Sequence, residues 1–116
     1  MMHITLLDRK FPLGFSDPGM WCGTGLGKSS ECEGIEIHAR ALIDTQKVVL
    51  LHEIIHVINS SLGVREQITE EQDELICNAV SSGMLSFMRN NPEIVAWLQS
   101  RTDEAFGSQK TTEAPE

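Results

Sequence analysis

The sequence predicts a small α+β domain, and three observations predict it. Two short N-terminal runs, HITLLD (3–8) and GIEIHA (34–39), have the apolar character of strands. Downstream, residues 44–63 and 69–89 place apolar side chains at helical spacing between start and stop signals. The 116 residues suffice for one modest core, so a single domain over 1–106 is expected, followed by a polar tail over 107–116.

HITLLD has a β-branched start. In GIEIHA, Ile35, Ile37 and Ala39 alternate with Glu36 and His38, the period of a half-buried strand. Between them, Pro12, Pro18 and five glycines interrupt residues 10–30. The stretch WCGTGLGKSS (21–30) ends in Gly27-Lys28-Ser29, the tail of a phosphate-binding loop. That loop needs a glycine where Cys22 stands, a buried strand before it and a helix after it. Here FSDPGMW, broken by Pro18-Gly19, precedes it, and SECEGIEIH, a turn and a strand, follows. The flanks exclude nucleotide binding, and CGTGLGKSS is expected to be a flexible turn between strands.

DTQKVVLLHEIIHVINSSLG (44–63) reads as a long helix, with Asp44 or Thr45 as N-cap and Gly63 just past its end. Its middle is apolar on most faces, so a buried central helix is expected. A second helix begins at Thr69, where Thr69 and Gln72 have capping-box spacing, and runs to about Arg89. Ile76, Val80, Gly83 and Phe87 share one face of it, with Leu75, Ala79 and Met88 beside them. NNPEIVAWLQS opens a short third helix, with Asn91 as cap and Pro92 at its first position. No internal repeat is present.

Charge and cysteine content narrow the function. Seventeen acids against 9 bases give a net charge of −8, which opposes a phosphate-backbone partner. Cys22, Cys32 and Cys77 are odd in number and irregularly spaced. They read as structural thiols in a reducing compartment, the cytoplasm, with Cys77 inside a helical apolar pattern. MMHITLLDRKF lacks the features of a secretion signal, and no apolar run has the length to span a bilayer.

The chemistry lies in VVLLHEIIHVIN. His52-Glu53-Ile54-Ile55-His56 is H-E-x-x-H, and four residues of helix bring both imidazoles to one face, where they can share a metal ion. Glu53, one step from His52, is offset from ligation yet close enough to reach a water on the metal. Zinc suits such a set with one further protein ligand and one open position. A purely structural helix is the simpler reading, but it gains nothing from three polar groups in an apolar stretch. The third ligand is sought among the carboxylates of the second helix, Glu70, Glu71, Asp73 and Glu74, because no histidine follows His56.

On these residues the sequence resembles the zincin metallopeptidases, with Leu50, Ile54, Ile55, Val57 and Ile58 supplying the uncharged positions around the histidines. The pattern with a third histidine is absent, since Asn59, Ser60 and Leu62 occupy the corresponding positions. ELICN (74–78) instead looks like the glutamate helix of the gluzincins, in particular the small ImmA/IrrE-type and minigluzincin enzymes. The resemblance spans roughly 34–100, and small phage proteins look similar. It implies a short, mostly antiparallel N-terminal sheet packed on the active-site helix, with an edge strand that aligns a peptide. It also implies Glu74 as third ligand, with Glu71 as the alternative, and Asn78 as support for a ligand histidine. Tyrosine, a frequent oxyanion partner in these families, is missing from the chain. His38, on the strand before the active-site helix, is the substitute candidate, and His3 reads as a surface residue.

The function so implied is a zinc peptidase of peptide or protein substrates, with Glu53 as general base and no nucleic-acid or membrane partner. The alternative is a catalytically silent, phage-encoded zinc-binding regulatory or interaction module. Retention of Glu53 beside an open metal position opposes it, because a structural zinc site has no use for a base.

Overall fold

The structure is a computed structural model that describes residues 2–17, 27–30 and 34–107. Its elements run β1 (Met2–Leu6), β2 (Arg9–Ser16), β3 (Gly27–Ser30), β4 (Gly34–His38), α1 (Ile43–Ser61), a 3-10 turn (Val64–Glu66), α2 (Glu70–Asn90) and α3 (Pro92–Gln99). The chain groups into two compact units, Met1–Leu85 and Ser86–Glu116.

In the first unit four strands form one sheet in the order β1-β2-β4-β3. The pairs β1/β2 and β3/β4 are antiparallel, whereas β2/β4 is parallel, so the sheet is mixed. HITLLD is not one strand. Leu7 and Asp8 both take positive φ (52° and 65°) between the paired residues Leu6 and Arg9, forming a two-residue hairpin turn. Leucine is a poor residue for that conformation, so composition hid the turn. β2 then crosses Pro12 and Gly14, which had read as breakers. Pro12 lies one residue before the first β2–β4 pair, Leu13 with Ile35, close to where a strand best tolerates a missing donor.

Residues 27–30, expected to be turn, form edge strand β3 beside β4, while Cys22, Gly23 and Gly25 lie outside the described residues. GIEIH is therefore an interior strand. Phe11, Leu13, Ile35 and Ile37 present one apolar sheet face to Val57 of α1, with Ile4, Leu6, Val49, Leu50 and Ile54 around them. Glycine at 27 has a mechanical reason. A Cβ there would overlap Val49 and come within 3.2 Å of Glu53 Cγ, so only glycine lets the edge strand close onto α1.

α1 starts earlier than Asp44. Leu42 is its N-cap residue, without a side-chain hydrogen bond, and Asp44 sits in the first turn, where its charge suits the helix dipole. At the other end Gly63 takes φ 77° directly after the C-cap Leu62, as expected for a glycine at that position. The capping box of α2 forms in both directions: Gln72 N–H donates to Thr69 Oγ1 at 3.1 Å, and Thr69 N–H to Gln72 Oε1 at 2.9 Å.

The inward face of α2 is not the apolar one. Asp73, Cys77 and Ser81 are buried, whereas Leu75, Ile76 and Val80 are exposed. Polar bonds to α1, described below, set this rotation more strongly than the apolar spacing does.

In the second unit Pro92 opens α3 behind Asn91, whose side chain donates to Phe87 O rather than capping the helix. Trp97 Nε1 donates to Glu104 O at 2.9 Å and its ring meets Phe106 edge-on. The expected tail, apart from Gly107, lies outside the described residues. No helix among the described residues is long and apolar enough to cross a membrane.

Candidate metal centre

His52 and His56 project from the same side of α1, one turn apart. Their Nε2 atoms approach to 3.0 Å, with the rings edge to face. Glu74, from α2, spans both: its Oε1 lies 2.6 Å from His52 Nε2 and its Oε2 3.4 Å from His56 Nε2. Glu71, the alternative, is outside this group, as are Glu70 and His38.

Behind the His56 ring the contacts are of another kind. Nδ1 is 2.7 Å from Asp73 Oδ2, and because a carboxylate only accepts, the ring donates its Nδ1 proton there. Asn59, three residues along α1, donates to Asp73 Oδ1 at 2.8 Å. Arg65, on the 3-10 turn, brings Nε to 3.5 Å from Oδ2. Burial pushes the Asp73 carboxyl up, but the hydrogen bonds from Asn59 and His56 and the charges of His56 and Arg65 outweigh it. The group is held below its ordinary value and stays a carboxylate. Asp73 and Glu74, adjacent in the chain, thus meet the two nitrogens of one ring.

That tautomer decides what the front can hold. In the neutral ring with its proton on Nδ1, His56 Nε2 turns a lone pair towards a second imidazole nitrogen and a carboxylate. The three residues offer their ligand atoms close enough together to share one cation. Donors placed tetrahedrally about 2.0–2.1 Å from zinc lie roughly 3.3 Å from one another. Separations of 2.6, 3.0 and 3.4 Å fit one ion with little adjustment. The residues present therefore suit a divalent metal bound by two imidazoles and one carboxylate.

The remaining expected residues fall into three positions. Glu53 is buried, yet its side chain lines the cleft in front of His52, with no protein hydrogen bond among the described residues. Asn78 lines the same cleft beside Glu74, while the His56 ring takes its support from Asp73 instead. The reason is helical phase. Asp73 precedes Glu74 by about 100° and faces α1, whereas Asn78 shares the exposed side of α2 with Glu74. His38 ends β4, where its Nδ1 accepts the Arg40 N–H at 3.1 Å, and it is not among the residues lining the cleft.

Four contributors escaped sequence reading: Asp73 as the imidazole's partner, Asn59, Arg65 and Cys77. The Cys77 thiol packs 3.3 Å from His56 Nδ1, and burial, together with the charges of Asp73, Glu74 and Glu53, pushes its pKa up to about 12. A usable signal existed in Asn59, a buried amide three residues after the second histidine on the same helical face. Edge strand β3 forms the remaining wall of the cleft through Gly27, Lys28 and Ser29. Compared with protein-family models, with curated proteins and with solved structures, the chain matches none.

Proposed function

We propose that this chain is a zinc-dependent peptidase of the gluzincin kind, working on peptide or protein substrates. One observation carries the reading: His52, His56 and Glu74 converge on a single point while an unengaged carboxylate, Glu53, lines the same cleft. Bound there, zinc supplies a Lewis acid and a water acidic enough to act as nucleophile near neutral pH.

Each residue of the chain then has a task. Asp73 fixes the His56 tautomer and orientation through Nδ1. Glu53, buried but facing the cleft, accepts the proton of the attacking water and returns it to the leaving amine. Among the described residues β3 is an edge strand of the sheet, so an extended peptide can add to it alongside the cleft. β4 (GIEIH), by contrast, is interior and already paired on both sides, so it offers a peptide no edge.

The test is Glu53→Gln, which preserves size and removes the base. A mass-spectrometric peptide-library screen with zinc-loaded wild type supplies the substrate. The variant is expected to bind zinc as wild type does while cleavage falls by about 10²- to 10⁴-fold. A wild type that is fully zinc-loaded and cleaves nothing would leave the silent binding module standing.

A further inference from the structure

Hydrolysis of a peptide places negative charge on the carbonyl oxygen, and a donor must meet it. The chain has no tyrosine. His3 belongs to β1, at the opposite edge of the sheet from β3, and His38 lies outside the cleft. Lys28 borders the cleft, but its register partner is Glu36, on the sheet face opposite Ile35 and Ile37 and therefore opposite α1.

We propose that Arg65 is a catalytic residue that donates hydrogen bonds to the carbonyl oxygen as it becomes an oxyanion; this rests on the peptidase reading. Arg65 lines the cleft together with His52, Glu53, His56 and Glu74. The left-handed Gly63 turns the chain after α1, so the following 3-10 turn carries Arg65 back beside His56. Its 3.5 Å approach to Asp73 Oδ2 is made through Nε and is longer than a good hydrogen bond, so it locates the guanidinium through one edge only. Nearly half of the side chain is exposed (47%), and its charge persists at every working pH.

In the step itself the water oxygen bonds to the carbonyl carbon and its proton passes to Glu53. The C=O π pair moves onto oxygen, where Arg65 donates hydrogen bonds and loses no proton. Collapse breaks the C–N bond, and the proton on Glu53 goes to the amine nitrogen.

The experiment compares zinc-loaded wild type, Arg65→Gln and Arg65→Lys, each at matched zinc content. Calorimetry with N-phosphoryl-leucyl-phenylalanine, a tetrahedral anion, is set against 2-mercaptoethanol, whose thiolate needs only the metal. Arg65→Gln is expected to weaken the phosphoryl ligand by roughly 10- to 100-fold and the thiol by less than about twofold, with partial rescue in Arg65→Lys. On a peptide from the library screen, kcat should fall by roughly 10²- to 10³-fold with KM little changed. Equal losses for both ligands, no loss for either, or an effect on KM alone would overturn the assignment of Arg65 while leaving the peptidase in place. Absence of any cleavage by zinc-loaded wild type would overturn both.

Discussion

The two nitrogens of the His56 ring face different surroundings. In front, Nε2 meets His52 and the largely exposed Glu74, whose side chain is 55% accessible. Behind, Nδ1 meets Asp73, at 3% accessibility, inside a network completed by Asn59 and Cys77, with Arg65 between it and the cleft. The rear is already satisfied by protein groups, whereas the front gathers two imidazole nitrogens and a carboxylate that could hold a metal ion. The difference teaches where rigidity and exchange belong. In the proposed zinc site, buried hydrogen bonds would fix the direction of the His56 ring, and the exposed carboxylate would be left to close on the ion.

The largest effect should come from the front. His52→Ala, His56→Ala and Glu74→Ala are each expected to abolish stoichiometric zinc binding, while Glu71→Ala keeps it. Elemental analysis and zinc titration at neutral pH measure this, and full zinc retention by Glu74→Ala would show the wrong carboxylate had been chosen. Wild type should carry one zinc per chain, released by chelator with a fall in Tm, because the ion links α1 to α2.

Next comes the rear. Asp73→Ala leaves the His56 Nδ1–H and the Asn59 amide without their acceptor, and should cost about 1–3 kcal/mol of stability. Zinc affinity should also fall roughly 10- to 100-fold, with Asn78→Ala losing much less. Denaturant melts of metal-free protein separate the two consequences, and equal losses in Asp73→Ala and Asn78→Ala would erase the distinction between front and rear. The sign with pH follows from the depressed Asp73 pKa. Its contribution is complete above the ordinary carboxylate value of about 3.9 and is lost as pH falls through the lower folded value.

A smaller effect is expected where the cleft meets the sheet. Gly27→Ala drives a methyl group into Val49 and towards Glu53, at a cost of about 1–3 kcal/mol from overpacking. Zinc binding should survive, because none of the three ligands is touched. A Tm equal to that of wild type would mean that β3 does not close on α1 as tightly as described.

The smallest concerns Cys77. Its raised pKa should leave it unalkylated by iodoacetamide at about pH 8 in folded protein and reactive after denaturation, as read by peptide mass spectrometry. The folded thiol keeps its proton between about 9 and about 12, so its linkage lowers stability as pH rises across that window. Labelling of Cys77 at equal rates in the two states would contradict the buried setting.

Local features were legible because their causes are local. The i,i+4 spacing of His52 and His56, the Thr69–Gln72 box, Gly63 past the end of α1 and Pro92 at the start of α3 each depend on a few neighbouring residues. So did the order of strands before helices and the alternation of GIEIH. The sequence alone therefore determined the three helices and the strand GIEIH, and placed two imidazoles on one face of a helix with Glu53 one step aside. What it left open depended on partners distant in the chain. Pro12 and Gly14 became strand because β1 and β4 flank them, and Gly27–Ser30 became an edge strand because β4 offers a ladder. The rotation of α2 was decided by Asp73 reaching His56 and Asn59, a polar preference that outweighs the apolar spacing of Ile76 and Val80. Only the packing of α1 against α2 chose Glu74 for the front of the ring and Asp73 for its back, because hydrogen bonds depend on distance and direction, which residue order does not record.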